Sequence, residues 1–389
     1  MIYFDNNSTT RVFESTVDAM RPFLMERFAN PASAIARVGG ITLTVQSEKT
    51  RLCKALGAES GDQFVITSGA TESNNLALLG AVRAKRHKRH IVISSIEHPS
   101  VMEVCEVLRA EGYRISTVPV TPEGIVDERV LLHALSAETL LVSVMMANNE
   151  TGILQPLKAL AGAVKRHDSS ILIHTDATQA VGKIPIDLSG DLVDVDLLSL
   201  SAHKFHGPKG TGALFVRDSD ILAPILFGGG QQLGLRSGTE NPAGVVGMVT
   251  ALTTLLDASS QMTRVTHLRI RLESGILATC PRAFVLGAQV SRLPTTVNVC
   301  LPGIDAEDFV DRMALKSIAI SSGSACSYGA SRPSHVALAH GLSYEDAKSC
   351  VRLSLSIEST EQEVGLFLHV FAELMAEYFI SNDQKLETR

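Results

Sequence analysis

The sequence predicts an α/β fold, with a large sheet domain and a smaller α+β domain after it. Three observations carry this. From Gln63 onward, short apolar runs alternate with longer stretches of helical spacing, as in strand–helix–strand units. The apolar runs repeatedly end in polar or small residues, as strands do where an open α/β sheet gathers its ligands. The chain of 389 residues, 45% hydrophobic and 20% charged, is long enough for one large core and a second, smaller one.

Composition removes several function classes. A net charge of −6 argues against a nucleic-acid coat protein, and no stable nucleic-acid binding is expected. No apolar run reaches the roughly 20 residues that span a bilayer. The N-terminus, M-I-Y-F-D-N-N-S-T-T, has no basic stretch followed by an apolar one, so no secretory leader is read there and a cytoplasmic location is expected. The cysteines (Cys53, Cys105, Cys280, Cys300, Cys326 and Cys350) are scattered without a C-x-x-C pair. They are expected to be free thiols, with no disulfide framework and no metal site.

The elements follow in order. Met1 to Thr10 is a short apolar strand breaking into turn formers, and Asn30-Pro31-Ala32-Ser33 is a loop. Val45 to Leu56 has helical spacing and is closed by Gly57. Phe64 to Thr67 is a strand, followed by Ser68-Gly69-Ala70-Thr71-Glu72 and a helical run to Ala84. A Gly-containing turn that opens a helix presents backbone N–H groups, that of Ala70 among them, and a positive dipole end to an anion; Thr71 adds a hydroxyl. The same string also reads as an ordinary helix cap. The basic run Lys85 to His90 reads as a solvated face, with a docking patch for an acidic partner as the lesser alternative.

His90 to Ser95 is a strand that runs into Ile96-Glu97-His98-Pro99-Ser100 and a helix to Ala110. His98, just past a strand end, could stack on a flat cofactor and move protons, although a loop histidine usually does neither. Strands at Arg114 to Val118 and Thr139 to Met145 follow, the second ending in Ala147-Asn148-Asn149-Glu150-Thr151-Gly152, where Asn149 could reach a bound ring. The strand Ser170 to Thr175 ends at Asp176. A carboxylate at the mouth of a buried strand needs a positive partner, which a protonated ring nitrogen supplies; capping the next helix is the other reading.

The apolar strand Leu197 to Leu200 runs into Ser201-Ala202-His203-Lys204, then the turn Gly207-Pro208-Lys209-Gly210 and the strand Ala213 to Val216. A lysine placed where a buried strand ends can be desolvated, which makes its amine a nucleophile able to form a Schiff base. With Ser201 and His203 as phosphate donors, the stretch reads as an anchor for pyridoxal 5′-phosphate. A surface lysine in a strand-to-turn connection would look the same locally. The order of Asp176 and then Lys204, with phosphate donors around both, favours the cofactor. Gly228 to Gln232 and Arg236 to Thr239 form a polar loop that could serve a phosphate across a subunit boundary, and helices are expected from about Ala243 to Leu277.

These motifs together resemble the cysteine desulfurases of the pyridoxal-phosphate-dependent fold type I superfamily. The resemblance rests on S-G-A-T-E at 68–72, E-H-P-S at 97–100, N-N-E-T-G at 148–152, D-A-T-Q at 176–179, S-x-H-K at 201–204 and R-S-G-T at 236–239, in family order over nearly the whole chain. It implies a mainly parallel seven-stranded sheet between helices, a homodimer, and roles for matched positions. Lys204 would hold the cofactor, Asp176 would pair its pyridine nitrogen, and Gln179 would contact the ring hydroxyl. His98 would stack on the ring and help in proton transfer. Thr71, Ser201 and His203 would bind the phosphate, with Thr239 reaching it from a neighbouring subunit. Asn149 would contact ring or substrate.

In the C-terminal third, Thr296 to Leu301 reads as a strand and Ala306 to Ala314 as a helix. Ser321 to Ala330 is small, polar and Gly-rich, which predicts an exposed, mobile loop carrying Cys326. A thiol there is reachable and reactive, whereas Cys53, Cys105, Cys300 and Cys350 lie in apolar-periodic segments and Cys280 ends a helix. S-S-G-S-A-C resembles the longer-loop class of desulfurases, in which such a cysteine takes sulfur from L-cysteine as a persulfide and carries it to an acceptor protein. Val351 to Ser356 alternates as a strand, and Arg352 matches the family arginine that grips the substrate carboxylate, a bidentate task for a planar guanidinium. Thr360 to Ala376 is a closing amphipathic helix.

The chain departs from the family pattern at Ala36, where many relatives carry histidine, and at Ile357, where many carry a second arginine. It ends F-I-S-N-D-Q-K-L-E-T-R without the S-P-L-W-x-M tail that docks the iron–sulfur scaffold. A dedicated acceptor is therefore expected, in tRNA thiolation, DNA phosphorothioation or local cluster assembly. The expected division is residues 14–258 as the large cofactor-binding domain, and 1–13 with 259–389 as the small domain bearing the loop 321–335. The rival readings are a selenocysteine lyase or other fold type I enzyme, and an inactive scaffold subunit.

Overall fold

After the two-residue β1 (Ile2–Tyr3), seven strands form the main sheet: β2 (Phe64–Thr67), β3 (His90–Ser94), β4 (Arg114–Val118), β5 (Thr139–Ser143), β6 (Leu172–Asp176), β7 (Leu197–Ser201) and β8 (Gly212–Val216). The structure is a computed structural model that describes residues 1–85, 87–323 and 333–387. Across the sheet the order is β2-β8-β7-β6-β5-β3-β4. Neighbours from β7 to β4 are parallel, and β8 runs antiparallel to both β7 and β2. The mainly parallel seven-stranded sheet expected from the sequence is therefore present.

The strands other than the edge strand β4 read as largely apolar runs because both faces are covered. Val65, Ile91, Leu141, Leu172, Leu197 and Leu214 face one way, against Leu76, Val104 and Leu108. Ile66, Val92, Val142, Ile173, Leu198 and Phe215 face the other, against Leu52, Leu160, Met248 and Leu252. Each such side chain contributes about 1.5–3 kcal/mol on burial. Covering both faces leaves the strand ends as the place for a ligand.

The later strands are β9 (Phe284–Val285), β10 (Thr296–Cys300), β11 (Ile318–Ala319), β12 (Ser321–Ser322) and β13 (Cys350–Ser354). They form an antiparallel sheet in the order β12-β13-β10-β9, while β11 pairs in parallel with β1. A separate apolar cluster lies here, joining Phe4 to Leu268, Leu272, Val297, Leu353, Phe309, Phe367 and Phe371. The N-terminus thus belongs by packing to the C-terminal third. Asp5 to Thr10 then crosses to the main sheet, with Asn6 N bonded to Ser354 O (3.2 Å) and Thr10 N to His203 O (2.9 Å).

Some boundaries differ from the sequence reading. The strand expected from Ser170 starts at Leu172, because Asp168 Oδ1 accepts from both N and Oγ of Ser170 and turns the chain there. The closing helix runs over Glu361–Glu387, past Ala376. The basic run is not simply a solvated face. Lys88 Nζ binds Thr139 O (3.0 Å) and Asp168 (3.3 Å), and His90 is buried between Thr139 and Ser116. Burial pushes His90 down to about 4, with Arg114 adding to the effect, so the ring is neutral and structural. Among the described residues no single helix is long and apolar enough to cross a membrane; the helices Pro242–Asp257 and Gln261–Thr279 pass that test only as a bent pair.

Candidate active site

A cavity of about 550 Å³ opens at the strand ends, lined by Asn7, Ser68 to Glu72, His98, Ser100, Asn149, Asp176, Gln179, Ser201, His203, Lys204 and Arg352 among others. Ser68 to Glu72, Asp176 and Ser201 to Lys204 meet here because they sit where elements stop or start, and Arg352 joins them from the middle of a strand.

Lys204 closes the short 3₁₀ turn Ala202–Lys204 that follows β7. Its Nζ donates to the carbonyls of Asn7 and Ser8, both at 2.7 Å. The N-terminal crossing segment thus holds the amine at the cavity wall. Asp176, the last residue of β6, is buried; Oδ1 accepts from Thr178 N (2.9 Å) and Oδ2 from Asn74 Nδ2 (2.8 Å). The carboxylate therefore faces the cavity with neutral donors only, which leaves room for a cation.

Gly69 takes φ +150°, a conformation L side chains rarely adopt, and the 15-residue helix Ala70–Ala84 starts directly after it. Gly212 presses from behind: a Cβ there would lie 2.5 Å from Leu200 O and 2.6 Å from Gly69 Cα. This tight backbone contact sets the helix start, Gly69 to Glu72, in the cavity wall with Ser201 and His203, and the first N–H groups of a helix have no partner within it. His203 Nδ1 meets Thr9 Oγ1 at 3.1 Å. Burial, joined by Lys204, Lys209 and Lys183, pushes His203 down to about 4, so it acts as a neutral ring.

Gln179 is set by two contacts. Its Nε2 donates to Asn7 O (3.0 Å), and its Oε1 accepts from Lys183 Nζ (2.8 Å). Lys183 is buried, and burial pushes its ammonium down to about 7, with Lys204 and Arg352 adding to the effect. Asn149 is presented by an Asx turn in which Asn148 Oδ1 accepts from the N–H groups of Glu150 and Thr151, each at 2.9 Å.

Arg352, central in β13, is buried. Its Nη1 donates to Asn149 O (3.1 Å), and its Nη2 donates to Asp5 Oδ1 (2.8 Å) and Ser8 Oγ (2.6 Å). Its Nε is buried without a partner. The second Nη1 hydrogen is therefore the donor left for a carboxylate, unless Asp5 releases Nη2. His98 caps the helix Pro99–Ala110 through Nδ1, which accepts from Ser100 N at 3.1 Å. Burial lowers its pKa; Asp176 raises it, while Lys204 and His335 lower it further.

Thr239 is exposed and lies outside this cavity, in a neighbouring cleft with Ser68, Gly210 and Arg236. Arg236 pairs with Glu72 at 2.7 Å. Cys326 lies outside the described residues. The chain on either side of it is placed. Ser334 Oγ donates to Glu150 Oε2 (2.5 Å), a Cβ on Gly323 would come within 3.0 Å of that same oxygen, and His335 Nε2 donates to Glu97 O (3.0 Å). Both flanks therefore stand at Glu150, next in sequence to Asn149, and the C-terminal flank also reaches Glu97, next to His98.

The sequence reading missed Asp5, Asn7, Ser8, Asn74, Ser100 and Lys183. Asp5 to Ser8 carried a signal, as a polar run breaking an apolar strand, but nothing local said that it would cross to Lys204. Lys183 stands four residues after Gln179, a spacing that can share a face.

A family model described as "Aminotransferase class-V" matches residues 2–367. The chain is 40% identical over 377 residues, 97% of its length and 93% of the relative's, to "Cysteine desulfurase NifS" of Azotobacter vinelandii. It superposes on the solved structure of a "NifS-like protein" with a TM-score of 0.90 at 34% identity, covering 96% of this chain and 99% of that one. A structure titled "SspA in complex with cysteine" matches with a TM-score of 0.80 at 32% identity, over 92% of this chain and 100% of that one.

Proposed function

We propose that this chain, which belongs to the class-V aminotransferase family, is a pyridoxal-phosphate-dependent cysteine desulfurase. The observation that carries the reading is the convergence on one cavity of Asp176 at the end of β6, Lys204 just past β7 and Arg352 from the middle of β13.

The residues present suit the cofactor. Asp176 offers a buried carboxylate whose partners on the chain are neutral donors, which suits a protonated pyridine nitrogen. The Gly69–Gly212 contact, where an added Cβ would collide, makes an anion cradle from the N–H of Ala70 with Thr71, Ser201 and His203. Lys204 would hold the aldehyde carbon, Gln179 would donate to the ring hydroxyl, and His98 would cover the ring. Bound pyridoxal phosphate supplies an electron sink that lets an amino acid lose its α-proton.

The chain's own residues do the rest. Arg352 and Asn149 orient the carboxylate of L-cysteine, and Lys204 takes the α-proton and returns it. The Cys326 thiolate attacks the substrate sulfur: the carbon–sulfur bond breaks, a sulfur–sulfur bond forms, and L-cysteine leaves as L-alanine with the sulfur held as a persulfide. Cys326 is favoured for this step because the described cysteines, Cys53, Cys105, Cys280, Cys300 and Cys350, are all buried. Burial pushes Cys105 up to about 12, which makes it inert. Free buried thiols also suit a reducing compartment, and we take the cytoplasm as the location.

The working form is a homodimer, with residues 14–258 as the cofactor-binding domain and 1–13 with 259–389 as the smaller one. Leu24, Met25, Phe28, Ile35, Val38 and Leu43 are exposed around Arg27, which ties the segments together through Gly39 O and Thr44 Oγ1. Such an apolar patch is suited to a second copy. Thr239, exposed outside its own cavity, would then serve the partner's phosphate. The persulfide passes to an acceptor protein.

The test uses purified protein, L-cysteine and a reductant, counting alanine and sulfide for wild type and Cys326→Ser while recording the absorbance of lysine-bound cofactor. Wild type should make both products, and the variant should keep the absorbance but stop turning over. Equal activity would remove Cys326 from the reaction and favour a lyase. No cofactor absorbance after adding pyridoxal phosphate would sink the whole reading.

A further inference from the structure

An unbroken chain of hydrogen bonds joins Asp176 to His98 through two side chains that have no part in the mechanism above. Asn74 is fully buried in the helix Ala70–Ala84. Its Nδ2 lies 2.8 Å from Asp176 Oδ2 and 2.8 Å from Ser100 Oγ. Ser100 Oγ in turn lies 2.8 Å from His98 Nδ1, the atom that already accepts from Ser100 N at 3.1 Å.

Donor accounting leaves one arrangement. A carboxylate only accepts, so it fixes which end of the Asn74 amide faces it; the flipped amide would set a carbonyl oxygen against Asp176. The Asn74 NH₂ therefore spends one hydrogen on Asp176 and the other on Ser100 Oγ, and its Oδ1 is left buried without a partner. Ser100 Oγ, now an acceptor, turns its own hydrogen to His98 Nδ1. That nitrogen receives two donors and has no room for a proton. The imidazole proton sits on Nε2, the edge left to face the cavity that His98 lines.

We propose that Asn74 and Ser100 are positioning residues that carry the orientation imposed by Asp176 to His98, holding the ring neutral with its proton on Nε2. At rest His98 then presents a hydrogen-bond donor to the cavity, for example to a substrate sulfur carrying negative charge. Taking the α-proton falls to Lys204. The orphaned Asn74 Oδ1 fits this purpose, since an amide placed only for packing would not leave its carbonyl buried and unpaired. Burial lowers the pKa of His98; of the ionisable groups acting on it, Asp176 opposes this, while Lys204 and His335 lower it further. The proposal rests on the cofactor reading only for what Nε2 meets; the chain of bonds itself lies within this protein.

The test is ring-nitrogen NMR on the full-length chain with ¹⁵N-labelled histidine, with and without added pyridoxal phosphate. His98 is identified by the signal lost in His98→Gln. Wild type should show a proton-bearing Nε2 and a bare Nδ1. Ser100→Ala removes the hydroxyl donation to Nδ1, and Asn74→Leu removes the amide donation that directs the hydroxyl there. Each should raise the pKa of His98 by about half to one unit, the equivalent of one net hydrogen bond of about 1 kcal/mol at 1.36 kcal/mol per unit. Ser100→Thr, which keeps a hydroxyl, should restore the wild-type values. Ser100 is only half-buried and stands in the first turn of its helix, so Ser100→Ala supplies the test without disturbing the core. A proton on Nδ1 in wild type would overturn the proposal. So would a pKa and nitrogen shifts that stay the same in both Ser100→Ala and Asn74→Leu. Failure of the cofactor reading would appear separately, as missing absorbance on adding pyridoxal phosphate.

Discussion

Replacing Glu97 by glutamine turns a buried acid into its neutral isostere, and the two proteins should part company as pH rises. Glu97 is fully enclosed. Its Oε1 accepts from Ser94 Oγ (2.5 Å) and Met145 N (2.8 Å), while its Oε2 is buried without a partner. Burial pushes the carboxyl up from 4.5 to about 8; the bonds from Ser94 and Met145 oppose this, and the charge of Asp176 adds to it. The folded protein therefore holds a proton that the unfolded chain has released. The stability tied to that proton is complete below pH 4.5 and is lost as pH rises to about 8. At 1.36 kcal/mol per unit the loss is on the order of 5 kcal/mol.

Glutamine does not titrate. It keeps the acceptor at Oε1 but places an amide NH₂ with no acceptor where Oε2 lay, against the variant by about 1–3 kcal/mol at every pH. Glu97→Gln should therefore be the less stable protein at pH 4.5, by about 1–3 kcal/mol, and the more stable one at pH 9, by about 2–4 kcal/mol. Urea unfolding of both proteins at matched cofactor occupancy, from pH 4.5 to 9, reads this directly. A difference that stays constant over the range would show that Glu97 titrates alike in folded and unfolded protein, and would refute the reasoning.

Three further outcomes follow from the site. Arg352→Lys gives up a planar group that reaches Asn149 O, Asp5 and Ser8 together, so KM for L-cysteine should rise about tenfold or more, with a smaller change in kcat; an unchanged KM in steady-state kinetics would remove Arg352 from substrate binding. Lys183→Met removes an ammonium pushed from 10.5 to about 7. Because the folded state sheds that proton first, wild-type stability should rise between pH 7 and 10.5, so the variant's relative stability should be greatest near pH 6 and fall by pH 9; parallel unfolding curves would count against it. Gly212→Ala forces a Cβ onto Leu200 O and Gly69, so it should lower stability by about 1–3 kcal/mol and weaken cofactor retention, read by thermal unfolding and absorbance; wild-type values in both would show that the cradle yields.

Much of the site was legible in the sequence because its chemistry sits at strand ends. An apolar run that stops at a charged residue marks both a buried strand and an exposed mouth, and this picked out Asp176, Lys204 and His98 with no knowledge of where the strands lie. What could not be read was which distant segments meet. Asn7 and Ser8 are 196 and more residues from Lys204 in sequence, yet their carbonyls hold its amine. Only the crossing of the N-terminal segment between the two sheets brings them there.

By itself, the order of apolar runs, glycines and ionisable residues determined the α/β class and marked the Gly-opened helix start and the strand-end residues Asp176 and Lys204, because these depend on local geometry and residue chemistry. Tertiary structure alone decided the orientation and charge of those residues. Asn74 and Ser100 look like unremarkable helix residues until the packing of their two helices against each other lines them up between Asp176 and His98. Glu97 looks like a loop carboxylate until burial takes its water away. Hydrogen-bond direction and desolvation arise from neighbours remote in the chain, and the sequence pattern holds no record of those neighbours.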